Sequence, residues 1–291
     1  MFSSKHRGGV AQNVTFKTWE GSNRFFCSGR LMMGPEVNNC LGTFAVVCIP
    51  SVLFFCSTAQ TLYPLSPAIP VFGFCIYLVS ICAFWTAACS DPGVIPRCPA
   101  DPEAANASIS KEQEQVVNGF VIRLRYCDTC RIFRPPRAVH CATCNNCVER
   151  FDHHCPWLGT CVGRRNYRPF LLFVHSATLG LLYFIGFGVY DVFWYSALQH
   201  SFLDCILTSP ASSAVVVVSL LLLFLPAGLA GFHTCVGALL PRFLHCRNSA
   251  RSYLVVLNRT TNEHLKSVYA VSPNPFDVGC TGNMHHICCS E

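Results

Sequence analysis

The chain has 291 residues, 52% of them hydrophobic and only 12% charged, with a formal net charge of +6. An ordinary soluble domain carries about 25% charged residues, so the composition excludes one. The positive charge is spread over three segments with no aromatic stacking platform beside it, which speaks against a nucleic-acid binder.

In chain order, residues 1–40 are rich in Gly, Ser and Asn with little periodicity. They read as an irregular tail whose Phe25, Phe26 and basic residues touch a membrane surface. Residues 41–63 and 67–89 then run apolar, each over the roughly 20 residues that cross a bilayer. The first run begins too late and lacks the small-residue cleavage site of a secretory signal. "DPG" at Asp91–Gly93 is a turn signal that stops the second run. Residues 98–115 are polar and rich in Pro, Ala and Glu, as a linker is. Residues 120–127, "FVIRLRYC", alternate as a strand does before a cysteine-rich stretch. Two more apolar runs follow, residues 169–193 and 211–236, and residues 237–291 close the chain. The expected fold is an all-α membrane protein: transmembrane helices in 41–89 and 169–236, with residues 90–168 as a cytosolic loop between the second and third.

All 21 Lys and Arg fall in three places: five before residue 41, eleven in residues 90–168 and five after residue 236. The connections around Leu65 and over residues 194–210 carry none. Cytosolic loops keep the positive charge, so both termini and the central loop are expected in the cytosol. Thiols stay reduced there, and clustered cysteines point to metal binding or catalysis rather than disulfides. Most cysteines outside the cluster sit in the apolar runs as small hydrophobes. Sequons at Asn13, Asn106 and Asn258 fall on the same side, where glycosylation does not occur. His175, His233 and Asp191 lie in or near the spans; the two histidines sit close to cytosolic ends, where a hydrated structural role suits them.

Between Cys127 and Cys161 stand ten possible metal ligands: Cys127, Cys130, His140, Cys141, Cys144, Cys147, His153, His154, Cys155 and Cys161. Structural zinc is tetrahedral and takes four Cys or His, so two sites use eight and leave two. A Cys-x2-Cys knuckle brings two thiolates to one metal through a tight turn, a specific zinc signal when further ligands follow. The knuckle followed by His and Cys appears twice, offset by fourteen residues. Adjacent side chains point in different directions, so His140 and Cys141 suit different metals, and His153 separates from His154 in the same way. A RING-type ubiquitin ligase also binds two zincs, yet needs neither adjacent ligands nor an acidic residue beside a His-His-Cys run. A purely structural zinc module with a spare last cysteine is the other alternative.

The pattern C-x2-C-x9-H-C-x2-C-x2-C-x4-D-H-H-C-x5-C-x4-N-x3-F, from Cys127 to Phe170, resembles the cysteine-rich domain of DHHC protein S-acyltransferases, here at about residues 120–170. "DPG" at Asp91, "TTNE" at Thr260–Glu263 and "NPFDVGCTGN" at Asn274–Asn283 are similar to further motifs of that family. "SPAIPVF" and "SDPGVIPR" are similar to its animal Golgi/ER subgroup, which includes the Ras acyltransferase.

The resemblance implies one zinc on Cys127, Cys130, His140 and Cys147, and another on Cys141, Cys144, His154 and Cys161. Asp152, His153 and Cys155 then remain for chemistry. A thiolate is a good nucleophile, a histidine in reach takes the thiol proton, and a carboxylate on the other ring nitrogen fixes the tautomer. The implied reaction is ping-pong transfer of a long-chain acyl group, typically palmitoyl, from acyl-CoA through Cys155. The acceptors are juxtamembrane cysteines of membrane-associated proteins. Trp157, Arg164, Arg165 and Arg168, with Arg150, are the expected contacts to acyl-CoA, although basic residues beside a membrane are expected in any case. The implied partners are acyl-CoA, the lipid bilayer, substrate proteins and an accessory subunit, with no nucleic acid. The implied place is the Golgi or ER, with the plasma membrane as the alternative. TTNE is implied to pack near Asp152.

Two features depart from the family pattern. Residues 235–252, with Pro241 and three Arg, intervene between "GFHT" and "YLVVLN". They put the placement of TTNE at issue; docking despite the insertion is the expectation, because each doubling of loop length costs only about 0.6 kcal/mol. In the C-terminal motif Phe276 stands for the commoner Tyr, which removes one hydroxyl.

Overall fold

The computed structural model describes residues 18–99, 112–196, 206, 209–233, 254, 255 and 257–288. The inserted residues 235–252, most of the connection over 194–210 and the sequons at Asn13 and Asn106 lie outside them. Among the described residues, four helical stretches are long and apolar enough to cross a membrane: Val37–Leu62, Ala68–Cys89, Tyr167–Trp194 and Pro210–His233. The first is α1 (Val37–Cys56) continued by the short α2 (Thr58–Leu62). The others are α3 (Ala68–Cys89), α4 (Tyr167–Ser196) and α5 (Pro210–His233). They display large apolar side chains outward: Phe72 is 63% exposed, Leu221 75% and Phe224 87%. Such surfaces suit lipid and not water, as a multi-pass membrane protein requires.

The chain divides into two compact units, one of Met1–Cys40, Ala88–Tyr167 and Thr260–Phe276, the other of Leu41–Ala87, Arg168–Arg259 and Asp277–Glu291. The C-terminal segment, one piece in the sequence reading, is thus shared between them.

In the helical unit Phe54 and Phe184 stack with ring centroids 4.6 Å apart, inside a core with Ala59, Leu62, Ile69 and Val215. Tyr183 donates to the Ile69 carbonyl at 2.7 Å. A polar knot joins three helical elements: Thr61 donates to one oxygen of the Asp191 carboxylate at 2.9 Å and Ser212 to the other at 2.5 Å. Thr58 in turn donates to Ser212 at 2.9 Å. Asp191 is buried, and its two oxygens are shared between hydroxyls from α2 and α5. His233 is only 1% exposed and meets the Phe170 ring edge-on at 5.2 Å, so packing replaces the hydrated role expected of it. His175 Nδ1 pairs with the Leu171 carbonyl one turn back, at 2.7 Å.

The other unit is built from five two-stranded antiparallel hairpins. They are β1 (Arg24–Phe26) with β2 (Leu31–Met33), β3 (Gln113–Val117) with β4 (Phe120–Leu124), and β5 (Tyr126–Cys127) with β6 (Ile132–Phe133). β7 (Val139–Cys141) pairs with β8 (Asn146–Val148), and β9 (His153–Cys155) with β10 (Thr160–Val162). Two expectations change here. The N-terminal segment is not an irregular tail over its described part: Trp19, Phe25 and Met32 pack with Val94, Val148 and the cysteines Cys141, Cys144 and Cys161. Phe25 therefore packs against a cysteine cluster, and Glu20 adds ion pairs with Arg97 and Arg131. The linker reading of residues 98–115 also gives way at its end. Gln113–Val117 pairs with Phe120–Leu124 because Asn118 and Gly119 take the positive φ values, 48° and 84°, that a two-residue hairpin turn needs.

Replacing Asp191 with Ala leaves the buried Ser212 hydroxyl without its acceptor, while Thr61 keeps the Thr58 carbonyl at 2.9 Å, at a cost of about 1–2 kcal/mol. Thermal unfolding of the full chain in detergent is expected to move down by a few degrees, with Asp191→Asn in between.

Candidate active site and metal centres

The hairpins present the ligands through their turns and their alternation. In the β5–β6 turn, Arg131 takes φ 57° and its amide bonds the Cys127 carbonyl at 2.7 Å, bringing Cys127 and Cys130 together. Asn145, at φ 53°, stands at the corresponding place in the β7–β8 turn, where the Cys144 amide donates to the Cys141 sulfur at 3.4 Å. Successive strand residues face opposite sides. His140 pairs in register with Cys147, and the two join Cys127 and Cys130 in one cluster, while neighbouring Cys141 turns to the other. In β9 and β10, His154 pairs with Cys161, and both join Cys141 and Cys144 in the second cluster.

In each cluster the four ligand atoms lie within 4.8 Å of one another. His140 Nδ1 stands 3.6, 3.5 and 3.8 Å from the Cys127, Cys130 and Cys147 sulfurs. His154 Nδ1 stands 3.6, 3.5 and 3.7 Å from Cys141, Cys144 and Cys161. Zn–S and Zn–N bonds of about 2.3 and 2.0–2.1 Å at the tetrahedral angle put S and N about 3.6 Å apart. The donor sets therefore fit zinc, with three sulfurs and one nitrogen filling each tetrahedron.

The same alternation sets His153 and Cys155 on the face of β9 opposite His154. Cys155 is 4% exposed and Asp152 2%. His153 Nδ1 lies 2.8 Å from Asp152 Oδ2, and its ring is hydrogen-bonded to the Cys155 thiol. Burial is the largest influence on the His153 ring and lowers its proton affinity. The hydrogen bonds and charges of Asp152 and Cys155 outweigh it and raise the pKa to about 9.

The Asp152 carboxylate is held from a distant part of the sequence. Thr261 donates its amide to Oδ1 at 2.7 Å and its hydroxyl to Oδ2 at 2.6 Å. The Asn262 amide donates to the Asp152 carbonyl at 3.0 Å. Thr260 caps helix α6 (Thr261–Leu265) in a reciprocal box with Glu263. Glu263 also accepts both prongs of Arg137 at 2.7 and 2.8 Å, and both side chains are buried. The Arg137 guanidinium lies over the Phe276 ring at 4.7 Å. That contact uses the ring face, so Phe serves there without a phenol hydroxyl. TTNE is thus docked despite the inserted residues upstream.

Asp91 of the DPG turn accepts the Gly93 and Val94 amides at 2.8 and 2.7 Å and pairs with Arg165. The segment after it bonds the Cys147 carbonyl through the Ile95 amide, at 2.8 Å. DPG is therefore an attachment to the cysteine-rich hairpins as well as a turn.

The sequence matches the DHHC palmitoyltransferase family over residues 121–268. Human palmitoyltransferase ZDHHC9 is 38% identical, covering 96% of this chain and 77% of its own length. The chain belongs to the DHHC palmitoyltransferase family. Mouse palmitoyltransferase ZDHHC14 is 35% identical over 96% of this chain, which spans 57% of that relative's length. Protein S-acyltransferase 8 of Arabidopsis thaliana is 35% identical, covering 95% of this chain and 69% of its own length.

Not every expected residue of this DHHC protein converges on the site. Arg164 pairs with Glu149 and Arg165 with Asp91, both on exposed side chains. Arg168 falls in the helical unit. Arg150 is surrounded by Arg137, Tyr167, Glu263 and Asp152; burial first and Arg137 second push its pKa down to about 10. It stays charged near neutral pH. Trp157 is 52% exposed. Sequence reasoning missed Arg137 and Glu36, whose Oε2 lies 2.9 Å from His154 Nε2. No spacing marks either residue, whereas the Thr-x-x-Glu box at Thr260 was readable as a helix start.

Arg137→Ala leaves the Glu263 carboxylate buried without its partner, a loss of about 3–5 kcal/mol. The expected outcome is release of residues 260–276, read as faster amide hydrogen exchange there and reduced autoacylation.

Proposed function

We propose that the chain is a protein S-acyltransferase whose nucleophile is Cys155, with His153 as its acid–base partner and Asp152 as the group that orients His153. The observation that carries the reading is the surplus on one strand. Two complete ligand tetrahedra take up eight residues, and the remaining histidine and cysteine share the opposite face, hydrogen-bonded in a chain to a buried carboxylate. All four positions of each zinc would be protein ligands, so the metal's contribution when bound is structural.

In the first half-reaction the Cys155 proton passes to His153, and the sulfur attacks the thioester carbon of an acyl-CoA. The new C–S bond forms, the bond to CoA breaks, and the CoA sulfur leaves with the proton from His153. In the second, a substrate cysteine gives its proton to His153 and attacks the acyl-Cys155 thioester. The product thioester forms and Cys155 is released with its proton restored. A His153 pKa raised to about 9 suits a ring that must take up a thiol proton and hand it on.

Palmitoyl is the acyl group assigned, because the similar animal proteins are palmitoyltransferases, and membrane proteins with juxtamembrane cysteines are the substrates. The distribution of Lys and Arg supports cytosolic termini and a cytosolic zinc domain spanning the central loop. The motifs similar to the Golgi/ER subgroup support that location, and an accessory subunit completes the partner set. Trp157, Arg164, Arg165 and Arg168 are the residues assigned to acyl-CoA. Arg164 and Arg165 reach a CoA phosphate only by exchanging Glu149 and Asp91 for it.

Purified protein given labelled palmitoyl-CoA should form a hydroxylamine-sensitive thioester. Cys155→Ser is expected to abolish it while keeping two zincs per chain by metal analysis, and His153→Ala to keep both zincs and lose rate. His154→Ala is expected to lose zinc. A zinc lost from Cys155→Ser would make Cys155 a ligand and sink the assignment.

The protonated form of His153 is needed to release CoA, so autoacylation should fall as pH rises through about 9. Asp152→Asn removes a charge that favours imidazolium, leaving burial to lower the proton affinity. The alkaline limb is expected to move down by about 1–3 pH units; an unmoved limb would show that Asp152 does not act through His153.

A further inference from the structure

Glu36 lies far outside the cysteine-rich segment and immediately precedes α1. His154 turns Nδ1 to three sulfurs, so its other nitrogen carries the proton and donates it to the Glu36 carboxylate at 2.9 Å. The backbone of the same segment rests on the turn between Cys155 and Cys161. A Cβ on Gly159, which has φ 68°, would come within 2.4 Å of the Glu36 carbonyl oxygen, and one on Gly34 within 1.9 Å of the Gly159 carbonyl oxygen. Both glycines are what allow the two backbones to touch. The Gly159 amide closes the turn on the Pro156 carbonyl at 3.1 Å, and the Cys40 amide starts the helix on the Glu36 carbonyl at 3.2 Å.

We propose that Glu36 is a positioning residue for the acyl-transfer centre: its carboxylate fixes the tautomer and ring orientation of His154, and through that ligand the register of the strand that carries Cys155. The inference rests on reading the second cluster as a zinc site. A carboxylate on the far nitrogen of a ligating imidazole locks the ring and raises its basicity, and losing such a partner typically costs 10–100-fold in metal affinity or activity. His154 lies between His153 and Cys155, so a ring free to rotate loosens both neighbours at once. The segment before the first apolar helix thereby becomes part of the centre through Gly34 and Glu36.

The test follows zinc release from the full purified chain to a chromogenic chelator. Wild type is expected to release two zincs in separable phases. Glu36→Ala should accelerate one phase by about 10–100-fold, leave the other unchanged and lower the autoacylation rate. Glu36→Gln, which keeps an acceptor oxygen but not the charge, should fall between and keeps the test open should the alanine variant fail to fold. Unchanged release from both variants would overturn the proposal, and so would equal acceleration of both phases, which marks general loosening. A wild-type chain holding fewer than two zincs would instead remove the zinc reading on which the proposal stands.

Discussion

A hairpin with two or three residues per strand does not hold in water by itself, and β5–β6, β7–β8 and β9–β10 of the cysteine-rich unit are such hairpins. What joins them is the pair of three-cysteine, one-histidine clusters, each drawing ligands from two hairpins. β7 contributes to both, through His140 on one face and Cys141 on the other, so the two clusters share a strand. Everything else at the site hangs from this arrangement. His154 pins β9 from one side, and strand alternation then delivers His153 and Cys155 together on the other.

The chemistry needs one more constraint, the orientation of Asp152. A buried carboxylate beside a histidine is costly unless its oxygens are satisfied. Here the Thr261 amide and hydroxyl satisfy them and leave Oδ2 aimed at His153. Thr261 is in turn placed by the capping box at Thr260 and by the buried Arg137–Glu263 pair. The orientation of Asp152 is thus maintained by residues more than a hundred positions away in the chain, in a helix of five residues that would not persist alone.

The membrane-spanning helices follow a different logic. In lipid the apolar side chains gain little by meeting one another, so aromatic packing around Phe54 and Phe184 is supplemented by hydrogen bonds of high local value. The Asp191 knot supplies these between α2, α4 and α5. It is self-satisfied, and its hydroxyls and carboxylate account for one another; a structural role explains a polar group that hydropathy alone would mark as functional.

The four spans were legible in the sequence because hydropathy over about 20 residues is a local property. The two ligand sets were legible because knuckle spacing constrains which side chains meet, and the resemblance divided them as the fold does. The described N-terminal segment and Gln113–Val117 were misread for a common reason. One needed the knowledge that a cysteine cluster lay beside it, and the other a partner strand across an Asn-Gly turn. Glu36 and Arg137 left no trace in spacing at all, since a single charged residue acquires meaning only from the group opposite it. Local pattern therefore determined the helices, the knuckles and the Asp-His-His-Cys run. Tertiary structure decided which carboxylate holds which histidine, because that depends on contacts between segments whose separation along the chain carries no periodic signal.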